Sequence, residues 1–153
     1  MSRRGIRLRP VWEDQYTLPK REDLLSPLLK QQRVLVDLVR ERVLSLPSVE
    51  EVLSWRGIPW RWAFGYSMEG EADRPFAYLI PCPSKPMFSM PFTTEQCRRL
   101  TFTKLSRPVR DSIAGSMQVA GVRWPQWELT SKTLADELLT LARKRHELLL
   151  APA

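Results

Sequence analysis

Histidine and cysteine are nearly missing from this sequence, with one His and two Cys among 153 residues. A structural zinc site draws four ligands from such side chains, so the composition excludes one, and no cofactor is expected. Cys82 and Cys97 form neither a disulfide framework nor a metal-ligand pair at a usual spacing, which points to a reducing, cytoplasmic setting. A Cys–His nucleophile would need one of them to meet His146, and nothing in their spacing favours that; buried structural cysteines and a surface His146 are expected instead. Glycine is also scarce, six residues scattered along the chain, so there is no glycine-rich phosphate loop and no Gly-x-Ser-x-Gly elbow. No apolar run approaches the roughly 20 residues of a membrane-spanning helix. The start, Met-Ser-Arg-Arg-Gly, is not followed by the apolar stretch of a signal peptide, and no membrane partner is expected.

The chain does carry an excess of positive charge, +7 in all, and its placement matters more than its size. Residues 1–21 hold six basic side chains against two acids, and residues 98–110 hold five against none, which leaves the remainder at −2. Two local features therefore stand on a nearly neutral body. One is an N-terminal arm, residues 1–25, expected to be largely extended, either as a solubilising tail or as a contact for phosphate or an acidic partner. The other is a basic segment comprising Arg98, Arg99, Lys104, Arg107 and Arg110.

Hydrophobic residues make up 43% of the chain, enough for one domain with a real core, expected over residues 26–150. Ser26 and Pro27 read as the start of a long amphipathic helix whose apolar positions run from Leu28 through Leu35, Leu38, Val39 and Val43 to Leu46, with Pro47 ending it. Ser48 and Glu51 have the spacing of a capping box, which predicts a short second helix closed by Gly57 and Pro59. From Trp60 to Met68 every even position is large and apolar, and every odd one except Arg61 is small. That alternation predicts a strand with two unlike faces. Residues 76–80 return as its hairpin partner, and Met87–Met90 make a third strand. Thr93 or Thr94 caps a short helix, residues 101–105 are ambiguous with a fourth strand, and Ser106-x-Pro108 opens another helix that stops near Gly115. Residues 121–129 read as extended, with Pro125 confining them to a sheet edge that would invite a dimer; a monomer is equally compatible. A final helix starts near Thr130 or Ser131. The expected fold is α+β: a small antiparallel sheet, a meander of three to five strands, covered by helices, with long N- and C-terminal helices.

The segments "SLPSVEEVLSWRGIPWRWAFGY", "FAYLIPCPSKPMFSM" and "ARKRHELL" together resemble the YdhG-like family of small uncharacterised bacterial proteins. The matching features are Leu46-Pro47, the acidic pair Glu50-Glu51, Pro59-Trp60 at a strand start, and the basic stretch Arg143 to Arg145; the likeness spans residues 30–148. It implies a fold related to the YjbR and frataxin-like proteins, and some members of the family are labelled iron chaperones. An iron site needs several carboxylates on one surface. The first long helix offers Asp37 and Glu41 among basic residues, and Glu50, Glu51, Glu69, Glu71 and Asp73 lie where capping and turns account for them, so the charge weighs against iron.

The aromatic side chains are the most suggestive set. Trp55, Trp60, Trp62, Phe64, Tyr66, Tyr78, Trp124 and Trp127 can gather on or beside one small sheet. They are either the core beneath the helices or an aromatic-lined groove for a small ligand or a protein side chain, and the small residues Ala63, Gly65 and Ser67 leave open which face is wet. The expected function is a non-enzymatic binding module working through that groove. A nucleic-acid accessory role, with the Arg98 to Arg110 segment and the arm meeting phosphates, is the alternative.

Overall fold

A computed structural model describes residues 10–99 and 105–150. The molecule is an α+β protein: five α-helices accompany an antiparallel sheet of five strands and a second of three, among the described residues. The strands β1 (Val49–Trp55), β2 (Trp62–Met68), β3 (Ala77–Ile80) and β4 (Met87–Ser89) follow one another as a meander, and β8 (Gln126–Glu128) completes the edge beside β4. The smaller sheet has the order β5 (Phe92–Thr93), β7 (Val122–Arg123), β6 (Gln118–Val119). The helices are α1 (Arg21–Leu25), α2 (Lys30–Leu44), α3 (Thr94–Arg99), α4 (Arg107–Ala114) and α5 (Lys132–Leu150).

The register decides which residues become core. Phe64 stands opposite Leu79, Leu79 opposite Phe88, and Phe88 opposite Trp127, so these four share one face. Trp62 and Tyr66 lie on the same face by the two-residue period of a strand. That face packs under α2 and α5, where Val36, Val39, Val43, Leu138 and Leu141 close the core. Large even positions of β2 thus meet helices, and the small odd positions do not.

Several local expectations need correcting. Residues 49–55 are a strand, not a helix: Ser48 has a left-handed φ of 61°, unlike an N-cap, and all seven following residues pair with β2. The inward positions of β1 are Val49, Glu51, Leu53 and Trp55, and the carboxylate among them breaks the apolar alternation that would have marked a strand. The long helix begins at Lys30 instead of Ser26, which terminates α1. Its first turn is closed by Gln32 Oε1, which accepts from the Leu29 amide at 3.0 Å. Residues 10–25 are not extended throughout, because Val11–Glu13 forms a 3-10 turn and α1 buries Leu24 and Leu25 in the core. Residues 1–9 and 100–104, and with them part of the arm, the ambiguous stretch up to but not including Leu105, and Lys104, lie outside the described residues. The stretch 121–129 is split between the two sheets, with the chain crossing at Pro125, whose carbonyl accepts from Ser89 Oγ at 2.8 Å. His146 is not a surface residue but 2% exposed, and its Nε2 lies 2.7 Å from the Pro47 carbonyl.

Two helix starts form as the sequence pattern predicts. Thr93 Oγ1 accepts from the Gln96 amide while Gln96 Oε1 accepts from the Thr93 amide, and Ser131 Oγ accepts from the Leu134 amide. The β6–β7 hairpin turns on Ala120 and Gly121, both at positive φ (52° and 80°), the mirror-image turn that matches strand twist. Gly121→Ala places a Cβ in that left-handed backbone and is expected to lower stability by about 1 kcal/mol, read from a urea midpoint.

Candidate functional site

The sheet face turned away from α2 and α5 carries Ala63 of β2, Tyr78 and Ile80 of β3 and Met87 of β4, and Trp12, Trp60 and Trp124 pack onto it. Trp60 belongs to the β1–β2 loop and Trp124 to the link between β7 and β8, so both indoles arrive from outside the strands. Their rings gather on Tyr78: Trp60 to Tyr78 is 5.0 Å between centroids, Trp60 to Trp124 is 5.9 Å and Tyr78 to Trp124 is 6.0 Å. The Arg56 guanidinium lies 5.0 Å from the Tyr78 ring centre, and its Nη2 donates to the phenol oxygen at 3.2 Å. Burial pushes the Tyr78 phenol above its ordinary range, with Arg56 acting against that shift.

Small side chains on β2 make room for this cluster. A Cβ on Gly65 would meet Pro75 Cγ at 3.2 Å, so the loop before β3 lies directly on the strand there. The segment ahead of α1 is fastened to the start of β2 by a reciprocal pair of hydrogen bonds. Trp12 Nε1 donates to the Trp62 carbonyl at 3.0 Å, and Trp62 Nε1 donates to the Asp14 carbonyl at 2.7 Å. Arg61 closes over the Trp12 ring at 5.4 Å. Tyr16, by contrast, is 84% exposed and packs on nothing in this cluster.

Two hollows flank the aromatic cluster. A groove of about 230 Å³ is lined by Trp12, Pro59, Trp60, Ile80, Cys82 and Met87, together with Lys85 and Gln126 at its polar side. A second hollow of about 410 Å³ has Tyr78 and Trp124 in its wall and reaches Arg145 of α5.

The eight aromatic residues proposed for one groove therefore divide. Trp60, Tyr78 and Trp124 come together on the outer face. Trp62, Phe64, Tyr66 and Trp127 are buried in the core beneath the helices, and Trp55 packs edge-on against Trp62 at 5.7 Å. Alternation along one strand puts its large residues on one face, and that face is the one the helices claim. Trp12 was missing from the candidate set although it lines the groove; its signal was an isolated tryptophan ahead of the first helix. Arg145 falls on the apolar stripe of the last helix, but its chain position gave no hint of the hollow it reaches.

No family model matches the chain, and no curated protein is similar to it.

The basic segment is less bare than its sequence implies. Arg98 forms an ion pair with Glu95, and Arg107 stands 3.9 Å from Asp111, so acids flanking the segment partner two of its cations. Both arginines, with Arg99 and Arg110, are exposed on α3 and α4, and none of them lines the hollows beside the aromatic cluster. Among the described residues no three His, Cys, Asp or Glu side chains stand close enough to hold a metal ion. Both cysteines are free and half-buried; burial raises the Cys97 thiol, opposed by Arg123. No helix among the described residues is long and apolar enough to cross a membrane.

A different polar cluster lies on the helix side of the sheet. Glu51 has a side chain only 5% exposed and accepts from Arg40 at 2.9 Å, from Arg21 at 2.6 Å and from the Tyr66 hydroxyl at 2.8 Å. The Arg40 guanidinium also sits 5.0 Å from the centre of the Phe64 ring. Burial alone would raise the Glu51 carboxyl, but hydrogen bonds from Arg40, Arg21 and Tyr66 outweigh it and hold the group below the usual carboxylate range. Every lobe of this carboxylate is occupied, so the cluster fastens β1 to α2 and offers nothing to a ligand.

Proposed function

We propose that the chain is a binding module that receives a small apolar or planar ligand in the groove beside Trp60. The observation that carries this is the placement of Trp60, Tyr78 and Trp124 on the sheet face away from α2 and α5, beside a groove walled by Ile80, Met87 and Trp12. The half-buried indoles of Trp60 and Trp124, packed on the buried Tyr78 ring, suit a site that takes up flat apolar surface and orients it by a few hydrogen bonds. Lys85 and Gln126 supply the polar contacts at its margin. The YdhG-like assignment is proposed with it, supported by Leu46-Pro47 following α2 and by Pro59-Trp60 ending two residues ahead of β2.

A neutral, polarity-sensitive naphthylamine dye tests the groove. Its emission is expected to rise on binding the wild-type protein, and Trp60→Ala is expected to weaken the affinity roughly tenfold or more, the scale of a central aromatic contact. Circular dichroism on the same variant confirms that it is folded. Equal affinity in wild type and Trp60→Ala overturns the assignment.

A further inference from the structure

Two arginines that reach into the interior, the half-buried Arg40 and the buried Arg145, are held differently. Arg40 has the Glu51 carboxylate at 2.9 Å. Arg145, in α5, is 6% exposed and takes part in no ion pair among the described residues; the remaining residues, 1–9, 100–104 and 151–153, contain no Asp or Glu. Its Nε donates to the Pro91 carbonyl at 3.3 Å, its guanidinium carbon lies 5.9 Å from the Phe92 ring centre, and its Nη1 is buried with no hydrogen-bond partner among the described residues. Removing a cation from water without a counter-ion is costly, and the burial pulls the Arg145 pKa down to about 10. The structural contacts in place, one carbonyl and one ring, leave most of the guanidinium's donors unused.

The same arginine lines the hollow of about 410 Å³. Tyr78 and Trp124 supply its aromatic wall, Thr93 and Gln96 add polar groups, and at the rim the exposed Arg74 stands beside the exposed Asp73. The rim charges cancel, which leaves Arg145 to set the sign. A planar guanidinium fork matches a carboxylate in two-point fashion. We propose that this hollow is a binding site for a small organic carboxylate with a planar apolar body, its carboxylate meeting Arg145 and its body lying against Trp124 and Tyr78. The site is separate from the Trp60 groove, which Arg145 does not line.

The test uses 2-naphthoate, its neutral carboxamide and inorganic phosphate, each titrated by calorimetry into the full chain. Naphthoate is expected to bind the wild type, with the carboxamide and phosphate each weaker by roughly tenfold or more. In Arg145→Met the advantage of naphthoate over the carboxamide is expected to vanish, and in Arg145→Lys, which keeps the charge and loses the fork, to shrink. Should Arg145→Met fail to fold, Arg145→Lys and Trp124→Ala carry the comparison, the latter weakening naphthoate and its carboxamide alike. Three results overturn the site: equal affinity for naphthoate and carboxamide in the wild type, unchanged naphthoate affinity in the Arg145 variants, or phosphate binding as tightly as naphthoate. Because the neutral dye and Trp60→Ala report the groove, while the naphthoate–carboxamide difference reports Arg145, either proposal can fail without the other.

Discussion

Replacing Glu51 with alanine is expected to lower the unfolding free energy by about 3–5 kcal/mol, because it strands the half-buried Arg40 guanidinium and the buried Tyr66 hydroxyl without their shared acceptor. At roughly 2–4 °C per kcal/mol for a chain of this size, thermal melting should fall by at least about 6 °C. The effect belongs to the unpaired charge and not to the loss of an ion pair as such. A triple variant, Glu51→Leu with Arg40→Met and Tyr66→Phe, is therefore expected to recover most of the loss, since apolar groups of similar volume replace such clusters at little cost. Failure of the triple variant to exceed Glu51→Ala in melting temperature would show that the polar cluster does more than fill space.

The same cluster sets a pH dependence. The folded Glu51 lies below its ordinary value of 4.5, so its contribution is fully present above about that pH and is lost as the pH falls through the lower, folded-state value. Tyr66 shifts the opposite way: burial first, and then the Glu51 charge, raise its phenol well above 10.0. A raised phenol keeps its contribution below pH 10.0 and loses it as the pH climbs further. Chemical denaturation of wild type and Glu51→Gln across acid pH checks the first limb, the variant losing the part of the slope that Glu51 supplies.

Phe64→Ala is expected to cost a further about 3–5 kcal/mol on its own, the range for deleting a fully buried phenylalanine. Phe64 is the middle of the helix-facing side of β2, with Leu79 opposite it and Arg40 above its ring. The substitution thus opens a cavity and removes the surface on which the Arg40 guanidinium rests. Phe64→Leu, which keeps most of the volume, is expected to cost less than about 1.5 kcal/mol. Urea unfolding of both variants checks the order, and a loss in Phe64→Ala no greater than in Phe64→Leu would place the residue outside the core. Because Glu51, Arg40 and Phe64 are linked through one guanidinium, their losses should not add.

How much of this was legible in the sequence varies by element. The alternation from Trp60 to Met68 identified a strand with two unlike faces, but the strand begins only at Trp62, after Arg61 at a positive φ of 58°. The termini of α3 and α5 were legible because Thr93 and Ser131 act through their own nearest amides. β1 was hidden by Glu51, whose partners come from α1, α2 and β2, a set of contacts no local pattern encodes. His146 read as a surface residue for the same reason: its partner, the Pro47 carbonyl, is 99 residues away. Of the aromatic set, the alternation put Trp60 on one face with Trp62, Phe64 and Tyr66, but only the last three share it; Trp60, like Trp124, reaches the opposite face from a loop. Arg145 was legible only as a position, four residues after Leu141 on the apolar stripe of α5; nothing local shows whether a carboxylate meets it.

The contact between His146 and Pro47 also bears on the order in which the molecule can be assembled. The meander from β1 to β4 joins strands that are neighbours along the chain, whereas α5 closes a loop of nearly the whole domain when it docks on α2. Arg145 rides on that closing helix. A chain that has formed the meander but not yet seated α5 would display Tyr78 with Arg56 on its ring but without Arg145 in the hollow, so an anion that needs Arg145 recognises only the completed fold and, by mass action, holds the last helix in place.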